Sequence, residues 1–293
     1  MNLHLVDATY ELFRAHFSPR PGAFDRGGRE VGAVVGLLYS LLALLRDEGA
    51  THVGCATDHV IRSFRNDLYA GYKTEAGVPP ELLAQFPLAE RAMEALGLVV
   101  WPMTEFEADD ALAAAAARWA DWPGVDRVLI CTPDKDLAQC VRGERVVTRD
   151  RRRDRTVDAA GVAARWGVAP ESIPDYLALV GDAADGFPGL PGWGARSAAA
   201  VLGRFGRLEA IPVNPGAWGV AVRSPATLNA ALRDQWQDAL LYRRLATLAT
   251  DVPLPQRDPE ELRWRGARRG AFTALCDELT QPRLAERPHL WQD

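Results

Sequence analysis

Four times in the first 140 residues a short apolar run is followed closely by one or more carboxylates, and this pattern limits the possible folds more than any other feature. The run 3–6 ends at Asp7, and the run 52–56 is followed by Asp58. The run 98–101 precedes Glu107, Asp109 and Asp110, and the run 127–131 precedes Asp134 and Asp136. Helix-like stretches at 32–46, 87–96, 109–120 and 135–141 alternate with these runs, and such alternation implies a parallel α/β sheet. In a sheet of that kind ligands bind at the carboxyl ends of the strands. Seven acids are therefore delivered to one edge. Each alone has an ordinary use: Asp109 and Asp110 suit the positive end of a helix dipole, and Asp134 suits an N-cap. Jointly they form an arrangement that is unfavourable unless cations sit among them. All-oxygen ligands without nearby His or Cys select Mg²⁺ or Mn²⁺. Two such ions roughly 4 Å apart would suit phosphoryl transfer, by activating a water and stabilising a leaving oxygen.

After about residue 158 the strand-like runs stop. Helices are expected at 158–166, 173–180, 196–205, 227–248 and 271–279. The expected organisation is an α/β core over 1–157, with an irregular region at 63–86, and a helical lobe over 158–293. The core would be a mostly parallel sheet with flanking helices. The stretch Gly181 to Ser197 stands out. Gly189, Gly192 and Gly194 permit a tight turn with close backbone approach. The N–H groups of that turn and of the helix start after it suit a phosphate oxygen, with Arg196 and Ser197 adding donors. Asp182 and Asp185, just upstream, bring the acids to nine.

Composition narrows the class. The 293 residues are 48% hydrophobic, enough to bury a core. No apolar run approaches the roughly 20 residues of a membrane helix, and the first residues do not read as a signal peptide. With no such run no membrane association is expected, and Cys55, Cys131, Cys140 and Cys276 are scattered, which fits a reduced cytoplasmic setting. There is no P-loop, GxSxG or HExxH pattern, and of the five histidines only His59, beside Asp58, lies near the acids. Net charge is −5, but leaving the nine acids out of the count makes the remainder +4. Only two of the 34 basic residues are lysines, Lys73 and Lys135. A lysine retained in so arginine-rich a chain marks a place for a compact point charge rather than a planar fork. Seven arginines crowd 142–155, and Arg263, Arg265, Arg268 and Arg269 form a smaller group; both read as solvated turns or as phosphate contacts.

Taken in order, the motifs resemble the 5′-nuclease superfamily: the 5′–3′ exonuclease domain of bacterial DNA polymerase I, phage 5′-exonucleases and flap endonucleases. Leu5-Val6-Asp7 is similar to the family's opening strand, Phe106 to Asp110 to its FEADD signature, and Thr132 to Leu137 to its TxDKDL signature. Gly181 to Gly194 is similar to the run that leads into its helix–three-turn–helix element, here at about 182–205. The resemblance implies a PIN-like fold in the stand-alone bacterial form, acting as a monomer. Asp7, Asp58, Glu107 and Asp109 would serve a first Mg²⁺ or Mn²⁺. Asp110, Asp134, Asp136, Asp182 and Asp185 would serve a second, some through water. Asp7, Asp109 and the arch lysine Lys73 would be catalytic. Arg14, Arg65, Tyr72 and Lys73 would contact the 5′ strand. Gly189, Gly192, Gly194, Arg196 and Ser197 would hold the duplex backbone, with a K⁺ at the turn. The implied substrate is DNA with a 5′ flap or a 5′ end at a duplex junction, including ends made of RNA. A PIN-type ribonuclease and a non-catalytic junction-binding protein are the alternatives. The chain departs from the family pattern at Ala76, where a basic residue is usual, and at Gly186, Pro191 and Trp193 in the turn.

Overall fold

The computed structural model describes residues 1–19 and 22–293. In chain order the elements are β1 (Asn2–Asp7), α1 (Ala8–His16), α2 (Gly32–Arg46), β2 (His52–Asp58), α3 (Arg65–Leu68), α4 (Pro80–Leu83), α5 (Phe86–Ala95), β3 (Val99–Met103), α6 (Ala108–Trp119) and β4 (Arg127–Cys131). They continue with β5 (Val146–Asp150), β6 (Arg155–Val157), α7 (Ala159–Trp166), α8 (Ile173–Val180), α9 (Ala195–Phe205), α10 (Pro225–Asp234), α11 (Trp236–Ala246), β7 (Ala267–Arg268), α12 (Arg269–Glu278) and β8 (Trp291–Gln292). The chain falls into two compact units that interleave along the sequence. The first comprises Met1–Ile61, Glu75–Thr132 and Thr250–Asp293; the second comprises Arg62–Thr74 and Pro133–Ala249.

In the first unit β1 pairs in parallel with both β2 and β4, and β2 pairs in parallel with β3. The strands therefore run in the order β3-β2-β1-β4. Six of the seven β2 residues are buried, as expected for a strand covered on both faces. Gly54 in β2 is required by its neighbour: a Cβ there would lie 2.3 Å from the Trp101 ring. Helix α2 is apolar almost all round and contributes Val34, Leu37, Leu38, Leu41 and Leu44 to this unit's core.

The C-terminal stretch belongs to the same core, which sequence periodicity gave no sign of. Trp264, Phe272 and Leu279 are buried in it. The Trp264 amide donates to the Thr51 carbonyl at 2.8 Å and its indole N–H to the Leu96 carbonyl at 2.8 Å. His52 on β2 meets Glu260 at 3.0 Å. Strands also return after residue 158, contrary to expectation, as the parallel pair of two-residue strands β7 and β8.

The second unit has its own core, built on Leu177, Leu179, Phe187, Trp193, Val201, Trp218 and Leu245 among others. Its helices α8 and α11 pack together, as do α8 and α9. The arginine-rich run 142–155 is not a bare turn: β5 and β6 form an antiparallel hairpin, with Thr148 opposite Val157. Val146 and Val147 are both buried there, so two valines were a stronger local signal than seven arginines. The expected helix 227–248 is two helices, α10 and α11, broken at Gln235, where φ is −111° and ψ 34°. No Gly or Pro announces that break.

Candidate metal and nucleic-acid site

In the first unit the acids sit where the strand pattern put them, held mostly by backbone and hydroxyl donors. Asp7 ends β1 and caps α1: its Oδ1 accepts from the Tyr10 amide at 2.8 Å. Its Oδ2 accepts from the Thr132 hydroxyl at 2.9 Å, just past β4. Asp58 ends β2. Its amide donates to the Thr9 hydroxyl at 2.8 Å, and its Oδ1 accepts from the Ala108 amide at 2.7 Å, at the first residue of α6. Glu107 precedes that helix, and Asp110 Oδ2 accepts from the Glu107 amide at 3.0 Å. Glu107 and Asp110 are buried, while Asp58 and Asp109 are half-buried. The ends of three neighbouring strands and the start of α6 are thus laced together through the acids, satisfying helix-end N–H groups that otherwise lack partners.

The second unit holds a different kind of group. Asp136, Asp182 and Asp185 are all buried, and each offers a carboxylate oxygen within 4.8 Å of the others. Asp136 Oδ1 is buried with no hydrogen-bond partner. Burial pushes the Asp136 carboxyl well above the usual carboxylate range, and the charges of Asp134, Asp185 and Asp182 push it further. Asp134 is exposed and accepts from the Asp136 amide at 2.9 Å. The chain's two lysines are the counter-charges: Lys135 Nζ lies 2.5 Å from Asp182, and Lys73 Nζ 3.4 Å from Asp185. Burial works to depress the Lys135 ammonium, but the bond to Asp182 and the charges of Asp136, Asp182 and Asp134 hold it above the ordinary lysine value. Two ammonium groups against three buried carboxylates, one with an orphaned oxygen, leave a small all-oxygen pocket fitted to a hard cation.

Lys73 is fixed by its backbone as well. Its amide donates to the Asp185 carbonyl at 3.0 Å, and Asn66 donates to the Lys73 carbonyl at 2.9 Å. Gly186, one of the departures from the family pattern, explains itself here: φ is +86°, and a Cβ would lie 2.2 Å from the Gly71 carbonyl oxygen. The acid loop and the segment carrying Lys73 approach so closely that only glycine fits. Gly189 meets a similar demand, since with φ +72° a Cβ would lie 2.3 Å from the Gly181 amide.

Two residues expected to touch a 5′ strand lie elsewhere. Arg65 is 1% exposed, and its guanidinium donates to the Leu245 carbonyl at 2.8 Å and the Thr247 carbonyl at 3.0 Å. Tyr72 is 3% exposed and packs in the second core, with Lys73 Nζ 5.7 Å from its ring centroid. Both are corrected from strand-contacting to buried supporting positions: a guanidinium inside a core must spend its donors on internal carbonyls. Arg14 is partly exposed. It pairs with buried Glu11 and donates to the Ser40 hydroxyl at 3.0 Å.

The glycine turn joins α8 to α9. Gly192, Gly194, Ala195, Arg196 and Ser197 line a groove of about 460 Å³ together with Ala221, Val222 and Arg223. The Ser197 hydroxyl bridges the Gly194 amide and carbonyl, both at 3.0 Å. Trp193 is buried, its indole N–H donating to the Leu228 carbonyl at 3.0 Å. Pro191 is exposed. Residues that the sequence reading passed over are Thr9, Thr132 and Arg223. Thr132 opens the TxDKDL motif and was within reach of that reading; the other two carry no local signal.

Comparison with known proteins matches this arrangement. Residues 2–167 match the model of the 5′–3′ exonuclease N-terminal resolvase-like domain, and residues 168–270 that of the 5′–3′ exonuclease C-terminal SAM fold. DNA polymerase I of Mycobacterium leprae is 33% identical over 97% of this chain, and that of Rhizobium leguminosarum 36% over 86%. The chain spans 31% and 25% of those two proteins. Among solved structures, the T5 D15 protein crystallised with metal ions has a TM-score of 0.65 at 16% identity, covering 98% of this chain and 99% of that one. The catalytic core of Rad2 in complex with DNA has a TM-score of 0.61 at 14% identity, covering 97% and 90%. The fold is the PIN-like one with a helical SAM-like part, and the chain belongs to the 5′–3′ exonuclease family.

Proposed function

We propose that the chain is a structure-selective 5′-nuclease that hydrolyses a phosphodiester of DNA at a 5′ end or flap, leaving a 5′-phosphate and a 3′-hydroxyl. The observation that carries this reading is the buried trio Asp136, Asp182 and Asp185 with its orphaned Asp136 oxygen, in a chain of this family. Asp134, Asp136, Asp182 and Asp185 would hold one divalent ion, some of them through water. Asp7, Asp58, Glu107 and Asp109 would hold another. When bound, Mg²⁺ or Mn²⁺ would supply an activated water and charge stabilisation for in-line displacement at phosphorus.

The chain's own residues do the rest. Lys73, whose Nζ lies 3.4 Å from Asp185, would present its ammonium to a non-bridging oxygen of the scissile phosphate. Asn66 and the Asp185 carbonyl hold its backbone in place. Arg65 and Tyr72 position Lys73 from within. Gly189, Gly192, Gly194, Arg196 and Ser197 would grip the duplex backbone, and the turn would hold a K⁺; such contacts position the strand without reading its sequence. Arg14 contacts a phosphate beyond the break. DNA and RNA 5′ ends are both substrates in this reading, and the protein acts as a monomer.

The test is hydrolysis of a 5′-labelled flap duplex with Mg²⁺ and with EDTA, beside single-stranded RNA. Mg²⁺-dependent release of the flap, lost in Asp109→Ala and Asp134→Ala, is expected. Wild-type cleavage no greater than in those variants would refute the reading, and cleavage confined to RNA would move it to a ribonuclease.

A further inference from the structure

The groove at the glycine turn has two walls, and only one of them comes from the turn. The second is the segment Ala221 to Arg223, about 25 residues further along the chain. No acid lines the groove. Among the described residues neither Arg196 nor Arg223 has an ion pair, and both are exposed. Two cationic residues lining one groove without a carboxylate make it favourable for an anion.

The second wall is held in place by side chains peculiar to this turn. Trp193, where the family has a small aliphatic residue, packs on Trp218 with ring centroids 5.9 Å apart. Trp218 is 1% exposed and donates its indole N–H to the Pro212 carbonyl at 2.9 Å. On the far side of Arg223, the Trp193 indole N–H holds the Leu228 carbonyl. Arg204 on α9 donates to the Gly219 carbonyl at 3.1 Å. The segment that carries Arg223 is therefore anchored before and after by the same tryptophan of the turn. Ser224, next to Arg223, is held at φ +51°, a conformation a non-glycine residue keeps only when its surroundings impose it.

We propose that Arg223 is a duplex-binding residue: with Arg196 it clamps the phosphodiester backbone of one DNA strand from the opposite wall of this groove. Trp193 is the positioning residue that sets the clamp. This rests on the nuclease reading and deepens it. The duplex contact gains a second cationic wall, which compensates for Pro191, a residue with no N–H to offer.

The experiment measures binding of the full chain to a labelled 5′-flap duplex in Ca²⁺ across a salt series. Arg223→Ala is expected to weaken binding about equally for unrelated duplex sequences and to lower the slope of log affinity against log salt by about one unit. Arg196→Ala should do the same. Arg223→Lys should keep the wild-type slope, which separates a charge contact from a folding role. Trp193→Leu should lower the slope as Arg223→Ala does while Arg223 remains present. A wild-type slope in Arg223→Ala, with Arg196→Ala reduced, overturns the clamp and leaves the nuclease reading standing. Failure of the nuclease reading is seen separately, as absence of Mg²⁺-dependent cleavage by the wild type.

Discussion

The strand-end acids of the first unit and the buried trio of the second are held by different partners. In the first, Asp7, Asp58 and Asp110 each accept from a backbone amide, and Asp7 also from the Thr132 hydroxyl. These acids serve as helix caps and strand-end ties before any ligand arrives. In the second, Asp136, Asp182 and Asp185 face one another with two lysines as counter-charges, and one oxygen has no partner. The first group is organised by the fold. The second is balanced by ammonium groups, with Asp182 also accepting from the Ala184 amide at 3.0 Å. Acids of identical chemistry thus differ in surroundings: the first group is tied mainly to amide and hydroxyl donors, whereas Asp136 in the second keeps a buried oxygen without a partner.

The largest effect that would separate the two is on activity and stability together. Asp136→Asn is expected to lower Mg²⁺-dependent flap cleavage by more than the roughly 100-fold that marks loss of an outer-shell partner. In EDTA the same variant should melt higher than wild type by thermal denaturation, because a repelled carboxylate has gone. A lower melting temperature would put Asp136 in the same class as Asp7. Next in size is Gly186→Ala, which drives a Cβ into the Gly71 carbonyl at positive φ. A loss of about 1–3 kcal/mol in urea unfolding is expected, together with slower cleavage as Lys73 is displaced. Unchanged stability would mean that the segment carrying Lys73 is not tied to the acid loop.

Asp7→Ala should cost about 1 kcal/mol of stability in EDTA, the worth of an N-cap. Chemical denaturation measures it, and a gain in stability would break the contrast from the other side. The smallest effect concerns a buried acid away from the trio. Burial raises the Asp175 carboxyl above its ordinary 3.8, although the Leu208 amide and Arg243 both oppose the rise. A raised acid favours the folded state when protonated, so its contribution is full below pH 3.8 and is lost as pH rises through the folded value. Asp175→Asn should therefore gain on wild type as pH climbs from 3 to 7. A difference that shrinks with pH would reverse the assigned cause.

Much of this was legible in the sequence because it is local. A carboxylate after an apolar run reports a strand end, and Gly32–Arg46 and Arg127–Cys131 match the helix and strand read from apolar spacing. The rarity of lysine pointed to Lys73 and Lys135, and both pair with the buried trio. What stayed hidden depends on distant partners. The resemblance implied that Arg65 contacts the 5′ strand, but its carbonyl partners lie at Leu245 and Thr247, about 180 residues away. Gly186 looked like a lost Asn because its reason, the Gly71 carbonyl, lies 115 residues earlier in the chain. Trp264 and Phe272 read as part of a helical lobe, yet they complete the core beneath the sheet. Hydrophobic spacing shows that a residue is buried; it does not show which core receives it.

No helix among the described residues is long and apolar enough to cross a membrane. The most direct test of the central claim, that each group of acids holds its own divalent ion, is a count of bound Mn²⁺ by titration, with wild type, Asp109→Asn and Asp136→Asn compared. The account predicts two ions for wild type and one for each variant. Wild-type stoichiometry in Asp136→Asn, or loss of both ions from either single change, would contradict it.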